Sequence, residues 1–593
     1  MKQWQTRLKQ MFSRAGRTEA SELHRKRNGI LMLVFPILLV LIVEMNQLQS
    51  VTQLGQFLTG HFGVFLFDVC LAGALFLALL VLVQTAWIAA AGIGTLFFLL
   101  SCVEFFKFDV SGSHFQPQDL LLTGDLADVS GMAQLRMTTV LAIDILVFVA
   151  CLLILFLSGA RLRLRWPPRV GVAVGCLAAV LMTVVTPASD VVFRLFGVDH
   201  RPSINTFEAN AKFQSDNLIA FWSSELAQLA ASHLDTPEPY DEATVLSLLA
   251  ETPETTQPSH RPNVLIVMSE SYADFRVVDP TAADDGDYAA FDAFCEDGLS
   301  GYAVVPTFGG YTGRSEFELL TGLPVASLAD PIIPHDAVTR KTVEGIPELF
   351  RNRGYQTIYL HPYHSNFYDR ESVYPKFGLD TFLFEDDLAI GSRTFHHRPE
   401  DAFCLEQTID LLQQTEEPVF LFLTTMQNHQ PYYYEAEQGV DELAYYLQGI
   451  AHTDEALAAF RQSLDALDED TIVLFIGDHF PFFGLSGNFY DRTGVDATNC
   501  AAYFRQHYFI YANYALDAEA AALNEVSLFY LPHLLTSLAL GEDTPVISRA
   551  LLSYAQQQPV YTTADPETDV SNDSFLDTLA YDRLIGQAWS AER

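Results

Sequence analysis

The stretch "TIVLFIGDH" at residues 471–479 joins an unbroken apolar run to a polar turn. An apolar run of this length predicts a strand that is covered on both faces, as in the centre of a parallel sheet. Asp478 and His479 stand at its carboxyl end. Ligands of open parallel sheets lie outside the carboxyl ends of the strands, so this stretch predicts both a fold and the edge that carries the site.

Four other runs of the same kind occur in the C-terminal half. They are "NVLIVMSE" (263–270), "TIYLHP" (357–362), "VFLFLTTMQNH" (419–429) and "YFIYANY" (508–514). Helical stretches separate the runs, and this alternation predicts a doubly wound, mostly parallel α/β sheet. A domain of roughly 300 residues is large enough to form such a core without disulfides.

Polar residues follow these strands as well. Glu270, His361 and His429 stand at three strand ends, as Asp478 and His479 do at the fourth. Each has an ordinary alternative as a helix cap, an ion pair or a turn residue. Together, two carboxylates and an imidazole form a ligand set suited to a divalent ion such as manganese, zinc or magnesium.

A threonine offers the missing fourth ligand. In "FGGYTGRSEFELLTG" (308–322), Thr312 stands between glycines and directly ahead of a predicted helix. One interpretation is a plain helix N-cap, for which threonine is a common choice. The other is a nucleophile, because a metal stabilises the alkoxide and a helix N-terminus favours negative charge.

The first third of the chain predicts a membrane domain. Five apolar runs occupy residues 29–46, 62–83, 86–106, 139–160 and 170–187. Several are long enough to cross a hydrocarbon core of ~30 Å. Glu44, Asp68 and Asp144 interrupt the runs, and we expect such acids to be functional or to face the interior of the helix bundle.

Basic residues predict the orientation. The segment before the first run carries eight lysines and arginines, and "RLRLRWPPR" (161–169) carries four arginines, so both are expected in the cytoplasm of a bacterial cell. The predicted division is a cytoplasmic basic tail (1–28), about five membrane helices (29–187), a linker (188–261), an extracellular catalytic domain (262–545) and an acidic tail (546–593).

Charge and cysteine content exclude several classes. Residues 188–593 hold 20 of the 34 basic and 63 of the 73 acidic residues, a net charge of −43. Nucleic acid is therefore excluded as a partner, since its binding depends on clustered cations. An anionic substrate needs a locally positive pocket, which a metal supplies most simply. The seven cysteines show no metal-binding spacing and do not predict a disulfide scaffold.

At these residues the chain resembles a known family. The strand-end Glu270, the Thr312 turn with its "SEF", "HPYHSNFYDR" (361–370), "NHQPY" (428–432) and "GDHFP" (477–481) follow the membrane runs in that order. This arrangement resembles the lipoteichoic acid synthase and phosphoglycerol transferase branch of the alkaline phosphatase and sulfatase superfamily. The resemblance extends to about residue 545.

The resemblance implies roles for eight residues. The metal, usually manganese in that family, would be held by Glu270, Thr312, Asp478 and His479, and Thr312 would become glycerophosphorylated. The residues that would surround glycerol phosphate are His361, Tyr368, Arg370 and His429. Relatives often carry tryptophan at the position of Tyr368 and an acid or amide at that of Tyr363, which bears on the specificity of the glycerol pocket.

The implied reaction transfers glycerol phosphate from phosphatidylglycerol to an acceptor such as a polyglycerolphosphate chain, a glycolipid or a periplasmic glucan. The chief alternative is a phosphoethanolamine transferase or another phosphodiester hydrolase of the superfamily. A sulfatase needs a Cys or Ser in a C/S-x-P-x-R pattern, which "TGRSE" lacks. A degenerate wall-binding or sensor domain predicts a broken ligand set. "EANAK" (208–212) further offers a short match to a signal peptidase site after Ala211.

Overall fold

The computed structural model describes most of the chain in two parts, a membrane domain (residues 2–231) and a sheet domain (236–591). The described residues are 2–120, 137–185, 187–203, 205–231, 236–250, 260–328, 334, 342–433, 441–484, 487–516, 523–563 and 573–591.

The membrane domain is a bundle of helices. They are α1 Lys2–Leu48, α2 Val51–Gly60, α3 Phe62–Val83, α4 Ala86–Ser111, α5 Thr139–Ser158, α6 Trp166–Leu181, α7 Ala188–Phe196 and α8 Thr206–Ala231. Four segments are long and apolar enough to span a membrane, namely His24–Leu48, Phe62–Val83, Ala86–Phe108 and Thr139–Ser158. Their outward side chains are exposed and apolar, as a lipid-facing surface requires; Leu157, for example, is 72% exposed.

The fifth predicted run forms a shorter helix. α6 has 16 residues, or about 24 Å at 1.5 Å per residue, which is less than the hydrocarbon core. Helical hydrogen bonds continue past its end, since the carbonyl of Leu181 accepts from the amides of Val184 and Val185 at 3.0 and 3.1 Å. α6 packs against α3. The fifth span, and with it the outer location of the sheet domain, stays a prediction.

The described part of the sheet domain contains one sheet of eight strands, whose ranges are given next and whose order across the sheet is β10-β2-β9-β8-β1-β7-β3-β4. The strands are β1 Asn263–Ser269, β2 Leu299–Val304, β3 Gln356–Leu360, β4 Thr381–Leu383, β7 Val419–Thr424, β8 Thr471–Gly477, β9 Arg505–Ala512 and β10 Glu525–Ser527. A separate hairpin pairs β5 Thr394–Phe395 with β6 Arg398–Pro399.

The predicted mostly parallel sheet is confirmed. β8, β1, β7, β3 and β4 are parallel neighbours, and β10 is parallel to β2. β9 differs, because it runs antiparallel to both β8 and β2. An apolar run alone does not encode strand direction, so the sequence predicted this strand but not its sense.

Burial on both faces explains the continuous apolar runs. Along β1, Val264, Ile266 and Met268 pack into the core on one face, while Leu265 and Val267 pack into the core on the other. Helices cover the two faces: α9 Glu242–Ala250, α10 Ala289–Asp297, α11 Thr312–Thr321, α12 Ile346–Arg351, α13 Arg370–Val373, α14 Asp401–Gln414, α15 Glu442–Asp465, α16 Phe489–Thr493, α17 Leu531–Leu540, α18 Val546–Ala555 and α19 Ser574–Leu584.

The segments predicted as a linker and as a C-terminal tail both contain helices. Residues 188–261, predicted as a linker, contain α7, α8 and α9, and α8 packs against α1 and α3. Residues 546–593, predicted as an acidic tail, contain α18 and α19, whose Leu551, Leu576 and Leu579 belong to the core of the sheet domain. Residues 251–259 of the linker and 564–572 of the tail lie outside the described residues.

Candidate active site

The carboxyl ends of the central strands bring the predicted ligands together. Glu270 directly follows β1, and Asp478 and His479 directly follow the neighbouring parallel strand β8. Each residue offers a ligand atom, and these atoms lie within 4.8 Å of one another. All three side chains are buried. The parallel register therefore builds at this edge the cluster that the strand-end residues predicted.

Thr312 is the first residue of α11 rather than its cap. The N-cap position belongs to Tyr311, and no side chain caps this helix end. The hydroxyl of Thr312 instead donates to Oε2 of Glu270 at 3.4 Å. The interpretation of Thr312 as a plain N-cap is therefore wrong, because its hydroxyl is directed at the carboxylate cluster.

The donor set fits a divalent cation. Oδ2 of Asp478 and Nε2 of His479 are buried and face each other at 3.1 Å, and neither makes a hydrogen bond among the described residues. Burial raises the pKa of Glu270 to about 8 and that of Asp478 to about 7, while it lowers the pKa of His479. Two buried carboxyls and a neutral imidazole with an unused lone pair are the groups that a divalent ion would stabilise.

Backbone carbonyls fix the tautomers of the three site histidines. Nδ1 of His479 lies 2.9 Å from the carbonyl of Phe480. Nδ1 of His361 lies 2.9 Å from the carbonyl of Thr424, and Nδ1 of His429 lies 2.7 Å from the carbonyl of Gln430. A carbonyl only accepts, so each Nδ1 carries the proton and each Nε2 keeps its lone pair. Burial lowers the pKa of His361 and of His429 to about 3.

Main-chain amides hold the carboxylate of Asp478 in place. Its Oδ1 accepts from the amides of Ser271 at 2.7 Å and His479 at 3.0 Å. Ser315, three residues into the Thr312 helix, donates its hydroxyl to the carbonyl of Asp478 at 2.8 Å. The β8 turn and the N-terminus of α11 are thereby joined through this one residue.

Arg370 is held by an ion pair that the sequence analysis did not identify. Its Nε and Nη2 each lie 3.1 Å from Oε2 of Glu316, and both side chains are buried. Tyr359 and Thr424 donate to the other carboxylate oxygen of Glu316 at 2.8 Å. Glu316 is the acid of the "SEF" motif, so this motif orients the arginine that was predicted to bind phosphate.

The other predicted substrate residues lie around the same edge. Tyr368 has a left-handed backbone (φ 57°) and stacks below the guanidinium of Arg370, with 5.1 Å between Cζ and the ring centre. His361 follows β3 and His429 follows β7 in the loop beyond its end. The structure thus gathers all eight predicted site residues, and their metal-binding and substrate-binding roles stay predictions.

Arg398 is a cation near the site that the sequence did not reveal. It begins the β6 strand of the hairpin, and its Nη2 donates at 3.0 Å to the carbonyl of Gln430, the same carbonyl that binds Nδ1 of His429. This is the one hydrogen bond recorded for its side chain within the described residues. No strand-end pattern marks a hairpin arginine, so only the tertiary contact with the His429 loop could identify it.

A cavity of about 80 Å³ lies between the two domains, next to Thr312. The residues that line it include Gln116, Gln118 and Asn205 of the membrane domain and Tyr311, Arg314 and Tyr368 of the sheet domain. Among the described residues its lining contains no carboxylate, in contrast to the acidity of the chain.

Comparisons with known proteins agree with this geometry. The family model described as Sulfatase matches residues 262–541. A putative cyclic beta-1,2-glucan modification protein of Rhizobium meliloti (strain 1021) is 30% identical over 246 residues, which are 39% of this chain and 37% of that protein. A lipoteichoic acid synthase of Staphylococcus saprophyticus is 26% identical over 218 residues, 32% of this chain and 31% of the relative. The chain thus matches well under half the length of these relatives.

Two solved structures share the fold. The Streptococcus pyogenes phosphoglycerol transferase GacH, in complex with sn-glycerol-1-phosphate, aligns with a TM-score of 0.50 and 20% identity over 60% of this chain and 97% of that one. The Neisseria meningitidis lipooligosaccharide phosphoethanolamine transferase A aligns with a TM-score of 0.53 and 12% identity over 88% and 98% of the two chains. Residues 262–541 therefore match the Sulfatase family model, and the chain shares its fold with these two transferases.

Proposed function

We propose that the protein is a membrane-anchored, metal-dependent transferase that moves glycerol phosphate from phosphatidylglycerol, through a covalent glycerophospho-threonine at Thr312, to an acceptor. The observation that carries the proposal is the hydroxyl of Thr312, which lies 3.4 Å from Glu270 in the cluster where Oδ2 of Asp478 and Nε2 of His479 face each other at 3.1 Å. A buried hydroxyl at a cation-binding cluster is the arrangement that an alkoxide nucleophile needs.

Glu270, Thr312, Asp478 and His479 would hold the metal, most readily Mn²⁺, with Mg²⁺ or Zn²⁺ as alternatives. When bound, the ion supplies positive charge that lowers the pKa of the threonine hydroxyl and stabilises the phosphoryl oxygens. The remaining chemistry belongs to the side chains of this chain.

In the first step, Oγ1 of Thr312 forms a bond to phosphorus and the bond from phosphorus to the diacylglycerol oxygen breaks. The threonine loses its proton, and the diacylglycerol oxygen leaves with a proton. α11 begins at Thr312, so its free amides and its dipole favour the negative charge that develops there. The products are diacylglycerol and the glycerophospho-threonine.

In the second step, a hydroxyl of the acceptor attacks phosphorus and the bond to Oγ1 of Thr312 breaks. The acceptor loses a proton and Thr312 regains one. The Nε2 atoms of His361 and His429 keep lone pairs at this edge, so either imidazole can accept a hydrogen bond from the acceptor hydroxyl and orient it toward phosphorus. Two in-line displacements retain the configuration at phosphorus.

Two arginines near the proposed substrate pocket favour phosphatidylglycerol, whose head group is anionic and carries no ammonium group. Arg370 is held by Glu316, and Arg398 lies on the His429 side with further guanidinium donors available for phosphoryl oxygens. An ethanolamine head group would place its own positive charge between these two arginines. The neutral glycerol avoids that repulsion, and Tyr368 offers a surface against which it can pack.

The phosphoethanolamine alternative keeps one specific observation in its favour. The Neisseria meningitidis phosphoethanolamine transferase aligns over the membrane part as well as the sheet domain, since 88% of this chain is covered. The fold is therefore compatible with either head group. A degenerate sensor or wall-binding domain is disfavoured, because the ligand cluster is complete.

The test is to incubate the purified full-length protein with Mn²⁺ and phosphatidylglycerol labelled in its head group, then to locate the label by peptide mass. We expect a glycerophosphate adduct on Thr312 and release of diacylglycerol. A parallel sample with labelled phosphatidylethanolamine is the control. If only phosphatidylethanolamine gave an adduct, it would be assigned as the donor in place of phosphatidylglycerol. If neither lipid gave an adduct, the mechanism would be contradicted.

Acceptor identity is tested in the same system. Polyglycerolphosphate, a glycolipid and a neutral glucan are each added to the labelled enzyme, and the loss of label from Thr312 is followed. The glucan is included because the Rhizobium meliloti relative is named as a putative glucan modification protein. The compound that removes the label from Thr312 fastest is assigned as the preferred acceptor.

A further inference from the structure

The residue before the nucleophile is bound to the membrane domain. The hydroxyl of Tyr311 accepts from Nζ of Lys107 at 3.2 Å and donates to Oδ1 of Asp119 at 3.1 Å. Lys107 and Asp119 also bind each other, with 2.6 Å between Nζ and Oδ2. Lys107 belongs to α4, and Asp119 to the helical turn that follows it. Three charged or polar groups from two domains therefore meet next to Thr312.

The membrane side of this contact is itself fixed. Lys107 donates to the carbonyl of His114 at 3.0 Å, and Oδ2 of Asp119 accepts from the amide of Gln116 at 2.7 Å. Glu104, one turn before Lys107, lies 2.5 Å from Nδ1 of His114 and 2.5 Å from the amide of Phe115. The loop that carries Asp119 is thus bound to α4 at several points, so Tyr311 meets a preorganised partner.

Tyr311 needs an external restraint, because its backbone is left-handed (φ 60°, ψ 40°). That region is unfavourable for a bulky side chain unless the surroundings impose it. Gly309 (φ 70°) and Gly310 (φ 152°) precede it and are held through their backbone, since the amide of Gly309 donates to the carbonyl of Phe480 at 3.0 Å and the carbonyl of Gly310 accepts from the hydroxyl of Thr307 at 2.6 Å. These contacts do not hold the side chain of Tyr311. The peptide between Tyr311 and Thr312 sets the direction in which the threonine hydroxyl points.

The ion pair is well placed to supply that restraint. Only 18% of the Lys107 side chain and 10% of the Asp119 side chain are exposed, so solvent screens their charges weakly. The ammonium also lies 5.6 Å from the ring centre of Tyr311. Both the hydroxyl and the ring of the tyrosine are therefore held by the membrane domain.

We propose that the membrane domain takes part in catalysis by holding the nucleophile: Lys107 and Asp119 fix Tyr311, and Tyr311 presents the hydroxyl of Thr312 to the phosphorus. Lys107, Asp119 and Tyr311 are positioning residues, since they act through Thr312. This inference rests on the proposed function. The membrane helices then orient the attacking atom as well as keeping the enzyme beside its lipid donor.

The proposal predicts a defect in one step only. Loss of the restraint lets the turn relax, so the hydroxyl spends less time in the attacking geometry. We expect Tyr311→Phe and Asp119→Asn to slow the labelling of Thr312 roughly tenfold, the effect of losing one hydrogen bond to a charged partner. KM for phosphatidylglycerol should change little, because none of the three side chains is needed to bind the head group.

The experiment measures single-turnover labelling of Thr312, together with kcat and KM, in the full-length protein. The variants are Tyr311→Phe, which keeps the ring, Asp119→Asn, and Lys107→Met with Lys107→Arg as its conservative partner. Lys107→Arg should recover most of the rate that Lys107→Met loses. The matched control is Lys212→Met, which breaks the buried 2.7 Å pair of Lys212 with Glu225 inside the membrane domain. This control should lower thermal stability but leave the labelling rate of the folded protein unchanged.

The outcomes separate the two proposals. No labelling of the wild-type protein would refute the proposed function. Normal labelling of wild type with equal rates in Tyr311→Phe and Asp119→Asn would refute the positioning role alone. Equal slowing in Lys212→Met would show that the defect is one of general stability, which also overturns the inference. A lower kcat at unchanged KM in the three contact variants, with rescue by Lys107→Arg, would support it.

Discussion

In the sequence Thr312 could be a helix N-cap, but in the structure its hydroxyl is directed at the carboxylate cluster. It opens a helix, but its hydroxyl is directed at Glu270 and contributes nothing to the helix end. Its long contact contributes little to folding, because a net hydrogen bond stabilises by only about 1 kcal/mol. Function and stability are therefore separable at this position.

That separation gives the first prediction. Thr312→Ala should reduce transfer and covalent labelling to background, while its free energy of unfolding stays within about 1 kcal/mol of wild type. The measurements are turnover of labelled phosphatidylglycerol and denaturant unfolding of the same preparation. Wild-type-like transfer by the variant would exclude Thr312 as the nucleophile.

Arg370 carries a second prediction, because its ion pair with Glu316 makes it part of the fold as well as of the site. Arg370→Lys keeps the charge but loses the two-pronged contact, so kcat/KM should fall roughly tenfold to a hundredfold. Tyr368→Ala should mainly raise KM, and Tyr368→Trp should be tolerated. Steady-state measurement of kcat and KM for the three variants tests these expectations. An Arg370→Lys enzyme with unchanged kinetics would remove the arginine from the pocket.

Metal affinity should depend on pH, since the site acids hold protons when the ion is absent. Burial raises the pKa of Glu270 to about 8 and that of Asp478 to about 7, above their values in the unfolded chain. In metal-free protein these acids stabilise the fold at low pH, and this contribution is lost as the pH rises toward 8. Metal binding displaces the protons, so we expect Mn²⁺ affinity to rise between pH 6 and pH 8.

Chelator competition at the two pH values measures the change in affinity. Asp478→Asn, which cannot titrate, is the control and should show weaker binding with a smaller pH dependence. Equal Mn²⁺ affinity of the wild-type protein at pH 6 and pH 8 would contradict the assignment of these carboxyls as ligands.

The sequence predicted the site at the residue scale wherever a side chain directly follows a strand or a motif. Glu270, Asp478 and His479 were found in this way, because parallel strands end at a common edge. Arg398 and the contact between Lys107 and Tyr311 were not found. The latter pair is 204 positions apart in the chain, and no local pattern encodes a contact between domains.

At the scale of elements, α11 is fixed at both ends by partners from distant parts of the chain. Its N-terminus joins β8 through Ser315, and its C-terminal Gly322 accepts at 3.0 Å from Nε2 of the buried His533 in α17. Nδ1 of His533 faces the hydroxyl of Ser548 at 2.9 Å. The carbonyl requires the proton on Nε2, so in the neutral imidazole Nδ1 accepts from the hydroxyl of Ser548.

This contact predicts acid sensitivity. Burial lowers the pKa of His533 to about 4, whereas an unfolded histidine titrates near 6.5. The unfolded state binds the extra proton between these values, so the contribution of His533 is complete above about pH 6.5 and is lost as the pH falls toward 4. His533→Gln, which does not titrate, should flatten that part of the stability profile. Identical pH slopes for the two proteins would show that His533 does not carry this effect.

Strand direction is the element-level feature that the sequence did not supply. The five apolar runs were correct as strands, but β9 runs against its neighbours and the short strands β2, β4 and β10 lacked a clear apolar pattern. β2 alternates exposed and buried residues over only part of its length, as expected near the edge of a sheet. Pairing partners, rather than intrinsic propensity, decide such strands.

At the scale of the whole molecule, the two domains are joined by packed helices rather than by an open linker. α8 lies against α1 and α3, and its Phe207 packs on Phe308 of the sheet domain with 4.6 Å between ring centres. The proposed signal peptidase site after Ala211 falls inside this helix, where Ala209 and Lys212 are buried. The pattern is therefore enclosed by the fold.

We accordingly predict that the protein stays at full length in membranes, because cutting after Ala211 requires α8 to unfold locally. Immunodetection of membrane and medium fractions tests this, with Lys212→Met as the variant that loosens the helix. A released fragment that begins at Lys212 in wild-type cells would contradict the prediction.

All seven cysteines of the chain are free thiols, and Cys404 and Cys500 are buried in the sheet domain. The described fold therefore does not depend on a disulfide bond. Reducing agents should therefore leave the fold unchanged, and production in a reducing cytoplasm should give a correctly folded sheet domain. A host that lacks thiol oxidases in its envelope could use this enzyme unchanged.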